Sequence, residues 1–257
     1  MLKSSDSLKY PSYQLPPRLV INICKSIVLN QGRHFRSDAV DAIRGLAPPL
    51  EVRGQEHIPA GGPCLITLNH YYRPGFNALW TALAISAVVP YDIHWIMTGA
   101  FTFPGQHREI VLKPLSQQVL HAIGRVYGFD TMPAMPPDPK EVLERSLAVR
   151  QVIRYVRKTK EVVIGLAPEG RDILTGQLGD PPSGSGRFIY YLAKGGMPLL
   201  PVGIFERDGA LHLHFGPLYA LEIEDGQAAA DLDRAVDRVI MGAIGRQLPE
   251  TMRGNYG

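Results

Sequence analysis

Residues 64–75 read Cys-Leu-Ile-Thr-Leu-Asn-His-Tyr-Tyr-Arg-Pro-Gly, and residues 163–172 read Val-Ile-Gly-Leu-Ala-Pro-Glu-Gly-Arg-Asp. Each stretch begins as an uncharged apolar run and ends in polar residues that accompany proline and glycine. Short apolar runs that stop at turn residues are typical of strands buried on both faces of a sheet. The two stretches therefore predict two buried strands, each followed by a polar loop.

Other segments of the chain have the same strand pattern. The full set of predicted strands is 50–53, 63–68, 93–97, 161–166, 199–205 and 211–215. Helical periodicity separates several of them, most clearly over 76–89, over 139–158 with Asp138 as its N-cap, and over 228–247. Strands that alternate with helices favour an α/β fold. We predict a mixed, largely parallel sheet flanked by helices, with an antiparallel hairpin across Arg207-Asp-Gly209 at one side.

The composition is that of an ordinary globular protein, with 45% hydrophobic and 20% charged residues in a chain of 257. This length suits one large domain or two small ones. We divide it into a helical, basic N-terminal section at residues 1–46 and an α/β domain at residues 47–257. The two cysteines, Cys24 and Cys64, are far apart, which excludes a disulfide framework and a Cys-x-x-Cys pair and favours an intracellular protein.

The charge is unevenly distributed along the chain. The net charge is +3, yet residues 1–36 hold six lysines and arginines against the single carboxylate of Asp6. The rest of the chain is therefore slightly acidic, which argues against a general nucleic-acid-binding protein.

The basic N-terminal section contains the apolar segment Leu19–Leu29. At 11 residues with Lys25 inside, it is too short to span a bilayer, which takes about 20 apolar residues. No small-residue cleavage site follows, so it is not a secretory signal. Wound as a helix after Pro17, the segment has one basic and one apolar face. Two interpretations remain open: a helix docked on the protein's own core, or a helix lying in a membrane interface.

Several familiar signatures are absent or incomplete. The Ser-Gly-Ser-Gly run at 183–186 lacks the first glycine of a G-x-S-x-G nucleophile elbow, and no third glycine completes a dinucleotide fingerprint there. His212 and His214 share one face of a strand, as metal ligands do, but the sequence offers no third ligand nearby. We therefore predict a half-exposed hairpin at this position and no metal site.

The candidate functional residues follow the two buried strands of the opening stretches. His70 comes directly after the first strand, and Glu169 and Arg171 come directly after the other. In open α/β sheets, ligands bind in the crevice outside the carboxyl ends of the strands. These loops are therefore the predicted site.

The order of short motifs resembles that of the PlsC-like glycerolipid acyltransferases, which make phosphatidic acid from lysophosphatidic acid. The resemblance covers about residues 50 to 256. The matching blocks are 51–63 with Asn69-His70, Ala167-Pro-Glu-Gly170, Gly176-Gln-Leu178, Pro198-Leu-Leu-Pro201-Val202, Phe215-Gly-Pro217 and Leu248-Pro249 with Arg253-Gly-Asn-Tyr256.

The resemblance implies transfer of a fatty acyl group from acyl-CoA or acyl carrier protein to a lysophospholipid-like hydroxyl. It makes His70 the general base, a role that suits an imidazole because its ordinary pKa lies near neutral pH. No tightly bound cofactor is implied. The implied partners are the membrane surface with its lipid acceptor and the acyl donor, and the implied location is cytoplasmic and peripheral to the membrane. The substrate-binding residues that we expect are Asn69, Arg73, Pro168, Glu169, Gly170 and Arg171.

Two departures from the family pattern matter. The aspartate of the family's H-x-x-x-x-D motif falls on Gly75, so another residue must orient the His70 ring; Asn77, Asp172 or Glu169 are the candidates. The family's phosphate-binding basic positions fall near Thr98–Gly99 and 132–134, where no basic residue stands.

Arg73 and Arg171 can replace the missing basic residues as a two-arginine phosphate clamp if their loops converge. Two rival functions remain open. One is a catalytically silent relative that binds acyl or lipid ligands, and the other is a thioester hydrolase that uses water as the acceptor.

Overall fold

The computed structural model describes residues 10–101, 109–135, 139–223, 226 and 228–257, with residues 109–111 described by their backbone alone. The strands are β1 (Glu51–Arg53), β2 (Cys64–Leu68), β3 (His94–Thr98), β4 (Asp130–Met132), β5 (Val163–Leu166), β6 (Leu199–Arg207) and β7 (Ala210–Phe215). The α-helices are α1 (Pro17–Val28), α2 (Phe35–Ile43), α3 (Ala78–Val88), α4 (Glu109–Tyr127), α5 (Val142–Lys158), α6 (Ser185–Ala193) and α7 (Ala229–Gly245).

The strands form one sheet of order β1-β7-β6-β2-β5-β3-β4. Every neighbouring pair is parallel except β6 and β7, which form the antiparallel hairpin across Asp208-Gly209. The predicted fold class is therefore confirmed. Because β2, β5 and β6 are parallel neighbours at the centre, their carboxyl ends meet at one edge of the sheet.

The elements β4 and α4 are among those that were not predicted. The strand β4 is three residues long and leads into a proline-rich loop, so it leaves almost no alternating pattern. The helix α4 contains Pro114, a residue that usually ends a helix. A third difference concerns α5: Pro139–Glu141 form a 3₁₀ turn and the α-helix begins at Val142, while the predicted cap Asp138 lies outside the described residues.

Helices cover both faces of the sheet. One hydrophobic cluster packs α2 and α3 on the face that includes Ile66, and a second packs α6 and α7 on the face that includes Leu65. Adjacent residues of β2 thus point into different cores, as the alternation of a strand requires. The uncharged composition of β2 follows directly from this burial on both sides.

The N-terminal helix α1 buries little of its surface. Leu19 and Ser26 are buried, while Ile21 and Val28 have exposed fractions of 65% and 82%. Within the described ranges, no helix combines the length and the apolar character needed to cross a bilayer. The division of the chain at residues 46 and 47 stays a prediction.

Close packing of α6 on α7 depends on Gly186. A Cβ atom at this position would lie 2.3 Å from the Asp233 carbonyl oxygen, which is fixed in α7. We expect Gly186→Ala to destabilise the protein by about 1–3 kcal/mol, because the two helices must move apart. Thermal unfolding measures the effect as a Tm lowered by about 2–4 °C per kcal/mol in a chain of this size.

The matched control is Gly195→Ala, since a Cβ atom there meets nothing within 4 Å. We expect its Tm to be unchanged or slightly raised. An equal loss of Tm in both variants would contradict the packing explanation.

Candidate active site

The loop that follows β2 is held by the part of β6 that extends beyond the end of β2. The β6 strand continues beyond the end of β2, and the buried Asn69 side chain takes the place of the next backbone pair. Its Nδ2 donates to the Ile204 carbonyl oxygen at 2.8 Å, and its Oδ1 accepts from the Ile204 N–H at 2.7 Å. Both polar ends of the Asn69 amide are thus used to hold the loop, and its expected substrate-binding role stays a prediction.

Glu169 joins three loops at the centre of this edge. Its Oε2 accepts a hydrogen bond from the His70 backbone N–H at 2.6 Å, and its Oε1 accepts one from the Gly179 N–H at 2.6 Å. The residue is 1% exposed, and this burial raises the pKa of Glu169 above its usual value, while the two hydrogen bonds oppose that rise. Because both oxygens accept backbone N–H groups, Glu169 holds the loops together, and its expected contact with substrate stays a prediction.

The His70 ring lies beside the carboxylate of Asp172, which comes from the loop after β5. The ring nitrogen Nδ1 is 3.1 Å from Asp172 Oδ1, with side-chain exposures of 18% for the histidine and 47% for the aspartate. The nitrogen itself is buried, and the approach lacks the alignment of a regular hydrogen bond. A carboxylate thus stands next to the imidazole although Gly75, at the motif position, has none.

Asn77 lies at the start of α3. Its Oδ1 accepts the Leu79 backbone N–H at 3.0 Å, which makes it the N-cap of α3. This is the ordinary role of asparagine at a helix start. The prediction of Asn77 as a ring-orienting residue stays a prediction.

Arg73 is committed to a buried carboxylate. Its Nε and Nη2 both donate to Glu206, the Nη2 bond to Oε1 at 2.8 Å, and Nη1 donates to the Pro74 carbonyl oxygen. Glu206 also accepts hydrogen bonds from the hydroxyls of Tyr13 at 2.6 Å and Tyr71 at 3.0 Å. These bonds use three of the five guanidinium N–H donors, and two of the three go to Glu206. The two-arginine phosphate clamp with Arg73 as a member stays a prediction.

The remaining predicted residues lie around the turn after β5. Pro168 is buried, and its carbonyl oxygen accepts from the Ser185 hydroxyl at 3.2 Å. Gly170 has a φ of 62°, the left-handed conformation that glycine adopts without strain. Arg171 is exposed, and no hydrogen bond or ion pair of its guanidinium is found in the described part of the chain.

Two spaces of very different size flank this turn. The space beside His70 has a volume of about 10 Å³, room for one water molecule, and Glu169 and Met252 are among its lining residues. On the other side lies a cleft of about 530 Å³ between α5 and α6, lined in part by Pro168 and Gly170. The turn at 168–170 thus separates the imidazole from the large cleft.

Sequence reasoning missed Glu206 and Tyr13. A weak signal was present for Glu206, because it directly follows an apolar strand at the edge where the candidate loops meet. No local pattern identifies Tyr13, since its role depends on contact across 193 positions of the sequence.

Comparison with known proteins adds one structural likeness. No model of a known protein family matches the chain, and no curated protein matches it. Among solved structures, it is similar to the 1-acyl-sn-glycerophosphate (LPA) acyltransferase PlsC from Thermotoga maritima, at 18% identity and a TM-score of 0.51. The match covers 87% of this chain and 84% of that chain. The chain therefore has a PlsC-like fold.

The buried ion pair between Arg73 and Glu206 gives a direct test of the loop's support. We expect Glu206→Ala to lower the free energy of unfolding by about 3–5 kcal/mol, because it leaves the arginine charge and two tyrosine hydroxyls without their acceptor. Urea unfolding of the single and double variants measures the effect.

The double variant Arg73→Ala/Glu206→Ala should lose less stability than the sum of its singles, because it removes the uncompensated charge. Exposed Glu250→Ala is the control, with an expected change near zero. Strict additivity of the two single losses would show that the pair is not coupled.

Proposed function

We propose that the protein is an acyltransferase that moves a fatty acyl group from a thioester to the hydroxyl of a glycerolipid. His70 is the general base, and Asp172 takes the place of the missing motif aspartate. The observation that supports this most directly is the 3.1 Å distance between His70 Nδ1 and Asp172 Oδ1. The PlsC-like fold of the chain is consistent with this activity.

The proposed chemistry is direct transfer. With the proton on Nδ1, the ring nitrogen near Asp172, the His70 ring presents a lone pair on Nε2 to the acceptor hydroxyl. As Nε2 takes the proton, the hydroxyl oxygen attacks the thioester carbonyl carbon, and the resulting tetrahedral adduct expels the thiolate. The thiolate then takes the proton from the imidazolium, so the products are the ester and a free thiol.

No covalent acyl-enzyme is part of this proposal. Cys64 is fully buried, and burial raises the pKa of its thiol to about 12, so no thiolate is available at neutral pH. The imidazolium that forms during transfer is stabilised by the Asp172 carboxylate instead. The mechanism requires no tightly bound cofactor, and its donor is acyl-CoA or acyl carrier protein.

A second function is favoured by the small space at the histidine. Only about 10 Å³ lies beside His70, whereas about 530 Å³ lies across the 168–170 turn. A protein that holds a lipid in the large cleft and never presents it to the imidazole would be a silent binder. Turnover distinguishes the two functions.

The proposed base and its carboxylate can be tested with purified protein, lysophosphatidic acid in liposomes, and oleoyl-CoA or an oleoyl carrier protein. Free-thiol release and lipid mass spectrometry follow the two products. We expect His70→Ala to abolish new ester formation. Asp172→Asn should lower kcat by about 10²- to 10⁴-fold, because the imidazolium loses its counter-charge.

The matched control is Asp92→Asn, which removes the carboxylate from an exposed histidine pair, His34 and Asp92, elsewhere on the surface. Its kcat should equal that of the original protein. Thiol release without new ester would indicate a hydrolase. Lipid binding with neither product would indicate the silent binder, and unchanged kcat in Asp172→Asn would remove the aspartate from the mechanism.

We further propose that α1 lies in the membrane interface, at the cytoplasmic surface. Its exposed apolar residues, including Ile21 and Val28, stand beside the exposed cations Arg18 and Lys25. Apolar insertion together with attraction to anionic lipid is the combination that peripheral binding needs. Such a position would bring the site to its lipid acceptor.

Vesicle co-sedimentation tests this placement. We expect Val28→Glu to weaken binding to vesicles of phosphatidylglycerol and phosphatidylcholine by about 10-fold or more, because burying an apolar side chain stabilises by about 1.5–3 kcal/mol. Leu143→Glu is the control, since Leu143 is 72% exposed but lies on α5, on the other side of the sheet. A larger loss of vesicle binding with Leu143→Glu than with Val28→Glu would show that the membrane contacts the α5 side of the sheet, which contradicts the proposal.

A further inference from the structure

The cleft of about 530 Å³ between α5 and α6 has an apolar floor. Its deeper walls come from the ends of β3, β4 and β5 and from α6, with Leu166 and Ile189 both buried. Met132 and Phe188 extend this apolar surface. A space of this size and character matches a small-molecule site more closely than it matches the water-sized gap beside His70.

Three arginines are the charged members of the lining, Arg145 and Arg150 on α5 and Arg187 on α6. Among the described lining residues there is no aspartate or glutamate. The local charge is therefore strongly positive in a chain whose net charge is only +3. A cationic rim above an apolar floor selects a ligand with a negative group next to a hydrocarbon part.

The three guanidiniums keep donors available for such a ligand. Arg145 donates from Nη2 to the Ala134 carbonyl oxygen at 3.0 Å. Arg150 is exposed, and it has no hydrogen bond or ion pair in the described part of the chain. The Nε of Arg187 is buried without a hydrogen-bond partner.

The acid nearest to Arg187 is already engaged. Asp233 lies 4.0 Å from Arg187 Nε, beyond hydrogen-bond distance. Its carboxylate instead accepts the backbone N–H groups of Gly184 at 2.6 Å and of Arg187 at 2.9 Å, at the start of α6. Two amides of the helix start are thus capped from within the protein. Arg187 makes only a long ion pair with Asp233, and its Nε keeps no hydrogen-bond partner, so its donors stay available to another anion.

We infer that this cleft binds a phosphate-bearing amphiphile with a single hydrocarbon chain, its phosphate on Arg145, Arg150 and Arg187 and its chain along the apolar floor. Arginine suits this task because its planar fork of donors matches phosphate oxygens. These arginines come from α5 and α6. They would take over the phosphate-binding role of the basic residues that are absent near Thr98–Gly99 and 132–134.

A lysophospholipid and an acyl-CoA both carry phosphate and a single hydrocarbon chain. What happens to either ligand after binding rests on the acyl transfer proposed above. Binding itself does not depend on turnover. The reacting end of either ligand would lie at the turn of Pro168 and Gly170, the boundary that the cleft shares with the His70 loop.

Isothermal titration calorimetry of the full chain tests the cleft with four probes below their micelle concentrations: oleoyl lysophosphatidic acid, oleoyl-CoA, monoolein and glycerol 3-phosphate. The first two carry both ligand parts, and the last two carry one part each. The background is His70→Ala, which removes turnover without changing a lining residue. The variants are Arg150→Gln and Arg187→Gln, and the matched control is Arg154→Gln, an exposed arginine of α5 outside the cleft.

We expect tight binding only of a probe with both parts, weakened by about 10-fold in each lining variant and unchanged in Arg154→Gln. If only one two-part probe loses affinity in the lining variants, that probe shows whether the cleft binds the acyl acceptor or the acyl donor. If both lose affinity, the cleft binds both through their shared phosphate and single chain. The inference would be overturned if monoolein bound as tightly as the two-part probes. It would also be overturned if Arg150→Gln and Arg187→Gln changed the binding of neither oleoyl lysophosphatidic acid nor oleoyl-CoA. Because binding is measured without turnover, these results can be interpreted even if the protein proves to have no acyltransferase activity. If the protein is active but the lining variants bind the probes as tightly as the background does, only the inference about the cleft is refuted.

Discussion

Both oxygens of the Glu169 carboxylate are held by backbone N–H groups, one from His70 and one from Gly179. A buried carboxylate is costly unless its lone pairs are satisfied, and hydrogen bonds to a charged acceptor are among the strongest in proteins. Each bond therefore fixes a loop by a strong constraint. The carboxylate links three segments: the loop after β2, the turn after β5 and the segment at Gly179. They can move independently only if Glu169 loses one of these hydrogen bonds. The distance between His70 and Asp172 depends on that arrangement.

A second constraint acts from the opposite side of the same loop. The overhang of β6 offers the backbone of Ile204 to Asn69 and the carboxylate of Glu206 to Arg73. Tyr13 reaches the same carboxylate from the N-terminal section. The segment that leads into α1 is thus connected to the loop of the candidate base through one buried acceptor. Asn69 and Arg73, which sequence inspection assigned to substrate, thus also support the loop that carries His70.

The fold and the location of the site were predictable because both depend on local pattern. The apolar runs of β2 and β5 identify central strands, and parallel neighbours must end at the same edge, which brings His70 and Glu169 together. The separate roles of Asn69, Asn77 and Arg73 were not predictable. Each is a polar residue in a candidate loop. The bonding of Asn69 depends on the register of β6, that of Asn77 on the start of α3, and that of Arg73 on the position of Glu206. A sequence gives the donors and acceptors but not their long-range partners.

The position of Asp172 illustrates how a carboxylate from a different loop can come to lie beside an imidazole. A carboxylate beside an imidazole acts through distance and direction, not through spacing along the chain. At the motif position, Gly75 adopts a φ of 86°, a conformation that an aspartate would adopt only with strain. The turn after β5 lies against the histidine because Glu169 holds it there, so an aspartate three residues later reaches the ring. The constraint that assembles the edge therefore also provides the carboxylate that the local sequence lacks.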